Sequence, residues 1–327
     1  MIISKTPLRI SLAGGGTDLP SYYKIKSGLV LSAAINKHIY ISVNNNWKPF
    51  FQLKYFKNEN RKKIKDIDHP AFRECLRALC PPSSYCEISC ISDVPAGTGL
   101  GSSGSFLVGL INALSHFYSF NYSKKTLAEL STNMEMNTLK QPSGKQDQYI
   151  ATYGGIKIIK INKQGKTDVQ KLNLDNNFIN YMENNILLYF TGYSRNSNII
   201  LKEQEIKTAQ SNKNIISNLD FIKSLALESI DALKRKSLID YGLLVKEHWS
   251  YKIKRSKNIS NSIINEMINS GLKNGAIGGK LVGAGGGGFL MFVCSDKNKL
   301  KQKMAKENLK ELEFKFDFKG SRILERS

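Results

Sequence analysis

Acidic residues are scarce in this chain. Asp and Glu number 27 against 48 Lys and Arg, which leaves a net charge of +21. Such an excess favours polyanions: nucleic acid, a membrane surface or phosphorylated small molecules. The lysines are scattered, however, and no basic stripe with interleaved aromatics marks a nucleic-acid face. A composition rich in Lys, Asn and Ile accounts for the charge more simply. Long apolar runs are missing too. None approaches the roughly 18 residues that suggest a membrane helix. The opening MIISKTPLRISLAGGG lacks the apolar stretch of a secretory signal. A soluble protein of the cytosol is therefore expected. Cysteines are few and odd in number: Cys75, Cys80, Cys86, Cys90 and Cys294. None stands in a CxxC pair and no histidine sits at ligand spacing, so buried reduced thiols are expected rather than a metal site. There is no internal repeat and no low-complexity linker.

What is present reads as alternating strands and helices. PLRISLA reads as a strand entering the turn GGGTD. LVLSAAINKHIYISVNNN reads as one or two strands, and YCEISCIS as another, with Cys86, Ile88 and Cys90 facing one way. FLVGLINALSHFY is apolar nearly all round, which predicts a buried helix. KTLAELSTNMEMNTL reads as a second helix. The polar stretch LDNNFINYMENN, residues 174–185, suggests a division of the chain into 1–183 and 184–327. Beyond it, ILLYFTG reads as a strand. Ile222, Leu225, Ala226, Ile230 and Leu233 fit an amphipathic helix. NSIINEMINSGLKNGA reads as another helix, GGKLVGAGGGGFLMFVC as a glycine loop between strands, and NKLKQKMAKENLKELEFKFDF as helix then strand. The second half is thus expected to be a small α+β sandwich.

The strongest chemical signal is DVPAGTGLGSSGSFLVGL, residues 93–110. Gly97, Gly99, Gly101 and Gly104 run straight into the buried helix. Glycines let the backbone approach a ligand closely. Amides at the following helix start, aided by the helix dipole, suit an anion such as phosphate. A bare strand-to-helix turn would need one glycine, not four. Residues 99–104 satisfy G-x-G-x-x-G, but a dinucleotide site wants an acid about 20 residues on, and YSFNYSK at 118–124 offers none. The strand also stops at Ser92, leaving DVPA before the glycines. No lysine follows as a Walker A loop requires, and neither H-R-D-L nor D-F-G of the protein kinases occurs.

PAGTGLGSSGS, residues 95–105, resembles the phosphate loop P-x-x-x-G-L-G-S-S of the GHMP small-molecule kinases. Two further stretches agree. PLRISLAGGGTDLPSYY, residues 7–23, resembles the family's N-terminal substrate motif, and GGKLVGAGGGGF, residues 278–289, its C-terminal glycine motif. The three occur in the family's order and cover nearly the whole chain. The resemblance implies an α+β fold of two halves. The N-terminal half would be like domain 2 of ribosomal protein S5, the C-terminal half ferredoxin-like, with the active site in the cleft between them. It also implies ATP and Mg²⁺.

The roles follow residue by residue. Phosphoryl transfer needs alignment, neutralised phosphate charge, a metal and sometimes a base. The loop Pro95, Ala96, Gly97, Thr98, Gly99, Leu100, Gly101, Ser102, Ser103 and Gly104 would hold ATP's phosphates. Ser103 and Glu135 would hold Mg²⁺, with Glu129 the competing carboxylate. QPSGKQDQYIATYGG resembles the segment carrying the family's catalytic Asp, which makes Asp147 the candidate base. Lys145, two residues away, would keep it ionised. Arg9 stands where the family has a cation beside the transferring phosphate. Gly14, Gly15, Gly16, Thr17 and Asp18 would meet the acceptor, Asp18 gripping ring hydroxyls. Mevalonate-type members carry a histidine near here. AGGGTD instead resembles the kinases of heptose 7-phosphate and fucose, and TGYSRNSNIILKEQ, residues 191–204, the heptose branch. Ser194, Arg195, Lys280, Gly285 and Gly286 would complete the acceptor site, with Arg195 and Lys280 on its phosphate or, alternatively, in contact with solvent or ATP. The implied reaction is transfer from ATP to the anomeric hydroxyl of D-glycero-D-manno-heptose 7-phosphate, feeding nucleotide-heptose synthesis for surface polysaccharide. Fucose or another sugar is the alternative acceptor. Outside the kinases, the alternatives are a basic S5-like nucleic-acid binder and a dehydrogenase. A homo-oligomer is compatible with the sequence, and no membrane partner is expected.

Overall fold

The computed structural model describes residues 1–193, 197–209 and 213–326. The first third holds β1 (Ile2–Ala13), α1 (Pro20–Lys26), β2 (Gly28–Asn45), β3 (Phe51–Lys54), β4 (Asn58–Arg61), α2 (Pro70–Leu79) and β5 (Cys86–Ser92). Next come α3 (Ser102–Phe117), α4 (Lys124–Asn133), α5 (Gln146–Tyr153), β6 (Ile156–Ile161), β7 (Thr167–Lys171) and α6 (Asn176–Asn185). The rest is β8 (Ile186–Phe190), α7 (Ser197–Ala209), α8 (Lys213–Lys234), α9 (Leu238–Lys252) and α10 (Ser262–Lys273). It closes with β9 (Ala276–Leu281), β10 (Phe289–Cys294), α11 (Lys297–Lys306), β11 (Lys310–Glu311) and β12 (Arg322–Arg326).

The stretch expected as one or two strands is a single strand of 18 residues, β2. Its length lets it serve two neighbours on one edge. Gly28–Ala33 pairs with β6 and Ile39–Asn45 with β5, while β1 runs antiparallel along the other edge. The resulting eight-stranded sheet follows the path β12-β1-β2-β5-β3-β4, with β6 and β7 attached through β2. Helices α3, α5 and α8 pack on β1 and β2, and α9 packs on β1. Nearly every residue of β1 is consequently buried, as in a strand covered on both faces. Burial on all sides also explains why α3 is apolar nearly all round.

The second sheet has the order β11-β8-β10-β9, all antiparallel. Helices lie between its first and second strands in chain order and between its third and fourth. That is the split β-α-β arrangement of ferredoxin-like folds. The amphipathic helix expected around residues 222–233 is α8, whose Ile222, Leu225, Ala226, Ile230 and Leu233 are all buried. One apolar cluster joins the two sheets: Leu8 and Ile10 share it with Tyr241, Val245, Met291 and Val293.

The chain's end departs from its expected course. Of KELEFKFDF, residues 310–318, only Lys310–Glu311 and a lone bridge from Phe316 to Ile35 enter a sheet. Residues 322–326 then form β12 on the edge of β1. The last strand, which the expected division gives to the second half, is hydrogen-bonded into the first sheet. Buried Asp317 anchors this return by accepting from the His38 ring at 2.7 Å and from the Arg322 guanidinium at 3.1 Å. Among the described residues no helix is long and apolar enough to cross a membrane.

Candidate active site

A cleft of about 760 Å³ opens between the two sheets. One wall is the phosphate loop and the start of α3; another is the turn after β1; a third comes from the ends of α9 and β9. The glycine loop is shaped by its neighbours. Gly99 has φ +83°, and a side chain there would meet the Val282 carbonyl at 2.5 Å. The C-terminal glycine stretch therefore lies directly against the phosphate loop. Gly101 precedes α3 in the left-handed region, so the amides of the first turn face the cleft mouth.

Gly104 does something different. A Cβ there would fall 2.6 Å from the Asp147 Cβ. The missing side chain lets the start of α5 approach the start of α3, which sets Asp147 at the helix mouth. Arg9 grips Asp147 with both arms of its fork: Nε donates to Oδ1 at 2.7 Å and an Nη to Oδ2 at 2.9 Å. Its other Nη donates to the Gly99 carbonyl. Lys145 does not take the role expected of it. Its ammonium donates to the Gly165 carbonyl and lies over the Tyr23 ring, while Asp147 is paired with Arg9.

Ser103 and Glu135 also meet. The Ser103 hydroxyl donates to Glu135 Oε1 at 2.5 Å, and the Gln148 amide donates to the other oxygen. Glu135 sits in a π-helical turn, Met134–Thr138, that continues α4. The wider turn is a common local device at functional sites. Burial, with the Asp147 charge adding to it, pushes the Glu135 carboxyl up to about 7, against the two donors. Among the described residues no third metal-ligating side chain joins Glu135 and Ser103, so a Mg²⁺ held there would take its remaining ligands from water or phosphate. Glu129, the competing carboxylate, is exposed on α4 within 4.0 Å of the Lys125 ammonium.

On the acceptor side, Gly15, Gly16 and Asp18 line the cleft. The two carboxylate oxygens of Asp18 accept amides from Gly16 and Gln146, each at 3.1 Å. Burial raises its pKa, opposed by the Gln146 amide. Gly14 and Thr17 do not reach the cleft. The Thr17 hydroxyl is spent on the Gly14 and Leu29 carbonyls, both at 2.8 Å, and closes the turn instead. In the phosphate loop Ala96, Gly97, Gly99, Gly101, Ser102 and Ser103 face the cleft. Leu100 is buried and its carbonyl accepts the Arg9 amide. The Thr98 hydroxyl turns back to the Pro95 carbonyl. Gly285 and Gly286 pack on Ile259, and Gly283 and Ala284 line the cleft in their place. Ser194 and Arg195 lie outside the described residues.

Sequence reasoning missed a cationic wall. Lys252, Arg255 and Lys280 line the cleft and are at most 6% exposed. Lys280 alone was singled out. The Lys280 ammonium donates to the Leu12 carbonyl at 2.7 Å, Lys252 to the Leu281 carbonyl at 2.8 Å, and Arg255 to the Gly15 carbonyl at 3.2 Å. Burial, then the charge of Arg255, brings Lys280 down to about 7. Burial likewise lowers Arg255 to about 10 and holds His248 well below its ordinary value, hence neutral. One signal was available: Tyr241, Val245, His248, Trp249, Lys252 and Arg255 recur at helical spacing, which puts two cations on an apolar stripe. The far arm of the cleft is aromatic, lined by Tyr55, Phe56, His69 and Phe106. Trp47 is not part of it; it is 98% exposed.

Comparison with known proteins shows the family. The model of the GHMP kinases N terminal domain matches residues 69–155, and that of the GHMP kinases C terminal matches 229–311. The chain belongs to the GHMP kinase family. As a member it is an ATP-dependent small-molecule kinase. The D-glycero-alpha-D-manno-heptose 7-phosphate kinase of Campylobacter jejuni is 27% identical over 91% of each chain. The L-fucokinase/L-fucose-1-P guanylyltransferase of Bacteroides fragilis is 24% identical over 90% of this chain and 35% of that longer protein. The mevalonate kinase of Methanocaldococcus jannaschii is 27% identical over 95% of this chain and 96% of its own. A crystal structure of a D-glycero-D-manno-heptose 1-phosphate kinase from B. thetaiotaomicron superposes over the full length of both chains with a TM-score of 0.83 at 23% identity. The chain shares its fold with that kinase along its whole length.

Proposed function

We propose that this chain is a sugar kinase that phosphorylates the anomeric hydroxyl of D-glycero-D-manno-heptose 7-phosphate, giving the 1,7-bisphosphate. One observation carries the reading. A carboxylate clamped by arginine, Asp147, stands at a helix mouth built for phosphate, with an acidic turn and a cationic wall across the same cleft. The names of two relatives support the sugar. Both are heptose kinases, although one name places a phosphate at position 7 and the other at position 1. The acceptor turn AGGGTD is the further support.

In this reading the first-turn amides of α3 and the loop bind the triphosphate of ATP. The aromatic arm takes the base by stacking and burial. Asp147 accepts the proton as the sugar oxygen bonds to the γ-phosphorus and the bond to the ADP oxygen breaks. Arg9 fixes the carboxylate's orientation and adds positive charge beside the transferring group. Ser103 and Glu135 would hold Mg²⁺, which when bound would offset the charge of the phosphates. Asp18, its two oxygens pinned by backbone amides, receives ring hydroxyls. A product of this kind would serve nucleotide-heptose synthesis for surface polysaccharide. The test is ATP consumption over a panel of sugars and sugar phosphates, with the product's phosphate position fixed by ³¹P NMR. A new phosphate on C1 of heptose 7-phosphate is expected. Turnover confined to fucose, or to no sugar, would sink the assignment.

A further inference from the structure

Lys252, Arg255 and Lys280 all line the cleft; Lys252 lies in the field of Arg255 and Lys280, and Lys280 in that of Arg255. None is paired with a carboxylate among the described residues. Their hydrogen bonds go to neutral groups, mostly the carbonyls of Leu12, Gly15, Leu281 and Gly283. Among the described residues His248, buried beside them, has no partner for either ring nitrogen, and Arg255 Nε has none. The carboxylate whose field Arg255 feels is Asp18, and that group already accepts two backbone amides. Buried cations without counter-ions are costly, as are buried nitrogens without partners. This wall is therefore an incomplete site that wants an anion with several acceptor oxygens.

Two anions compete for it: the γ-phosphate of the nucleotide and an anionic group on the acceptor. Position favours the acceptor for Arg255 and Lys280, while Lys252, bonded to the Gly283 carbonyl against the phosphate loop and in the field of Arg9, borders both. Lys280 is anchored on Leu12 and Arg255 on Gly15, the two ends of the turn that leads to Asp18. The phosphate loop has its own cation in Arg9, bonded to Gly99. We infer that Lys252, Arg255 and Lys280, with His248, form the seat of a phosphate already carried by the acceptor, and so make the enzyme select phosphorylated over free sugars. This rests on the sugar-kinase reading but is separable from it, because binding can be measured without turnover.

The experiment is calorimetric titration of the full-length protein, without ATP, by D-glycero-D-manno-heptose 7-phosphate and by the unphosphorylated heptose. Parallel titrations use a nonhydrolysable ATP analogue with Mg²⁺. Hydrogen bonds to charged groups imply a preference for the phosphorylated sugar of roughly 10- to 100-fold. Arg255→Met and Lys280→Met should each shrink that preference and leave analogue affinity within about twofold. Lys280→Met leaves the Leu12 carbonyl bonded to the Tyr241 hydroxyl at 3.1 Å, so it should fold. If either variant fails to fold, the wild-type preference decides alone. Equal affinity for the two sugars, binding of neither, or variants that weaken the analogue instead of the sugar phosphate would overturn the inference. Selective binding without phosphoryl transfer would remove the kinase assignment and leave the seat standing.

Discussion

The two ends of the cleft are charged by opposite rules. At the α3 mouth Asp147 and Arg9 form a bidentate pair, so the charges are balanced before any ligand arrives. On the wall built by α9 and β9, Lys252, Arg255 and Lys280 stand with carbonyls and a neutral histidine for company. A balanced pair holds a geometry; an unbalanced cluster stores a demand for an anion. The comparison teaches that catalytic precision and ligand selection have been assigned to different walls.

The largest expected effect comes from breaking the balanced end. Asp147→Asn keeps the shape and removes the proton acceptor, so kcat should fall about 10²- to 10⁴-fold with nucleotide affinity little changed. Near wild-type turnover would exclude Asp147 as the base. Gly104→Ala strikes the same wall through packing. The added methyl meets Asp147 Cβ at 2.6 Å, and the strain should cost about 1–3 kcal/mol in a melt and lower kcat as Asp147 shifts. Unchanged stability and rate would show that α3 and α5 can part without consequence.

The unbalanced end predicts a pH signature. Lys280 titrates at about 7 in the fold, against 10.5 for a free lysine. A folded pKa below the unfolded one means that unfolding takes up a proton in that window. Its contribution to stability should therefore rise with pH from about 7 to about 10 and stay flat below 7. Lys280→Met should remove that slope in phosphate-free buffer, with Lys252, Arg255 and His248 left to supply any remainder. An unchanged slope would mean that the Lys280 charge is not confined. The smallest effect is expected at Trp47. Trp47→Ala should change stability by less than about 0.5 kcal/mol and leave ATP binding intact, since the ring is exposed and outside the cleft.

The legible parts were those where one local pattern decides. Four glycines before an apolar run fixed the loop and the helix after it. The spacing of Ile222, Leu225, Ala226, Ile230 and Leu233 fixed α8. Asp147, Arg9, Ser103 and Glu135 were found through resemblance and converge in space, although nothing local places Glu135 in a π turn. The illegible parts depend on distant contacts. Thr17 reads as a ligand until its hydroxyl is seen on Leu29. Lys252 and Arg255 read as two more cations among 48 until β9 and the turn after β1 bury them. β12 pairs with a strand some 320 positions away in sequence, and no local pattern encodes such a partner.

The most direct single test is a crystal structure with a nonhydrolysable ATP analogue and heptose 7-phosphate bound together. The expected density puts the γ-phosphorus at the mouth of α3 beside Asp147, the sugar against Asp18, and the sugar's own phosphate on Arg255 and Lys280. Nucleotide phosphates seated on the Lys252 wall, with Asp147 facing solvent, would contradict it.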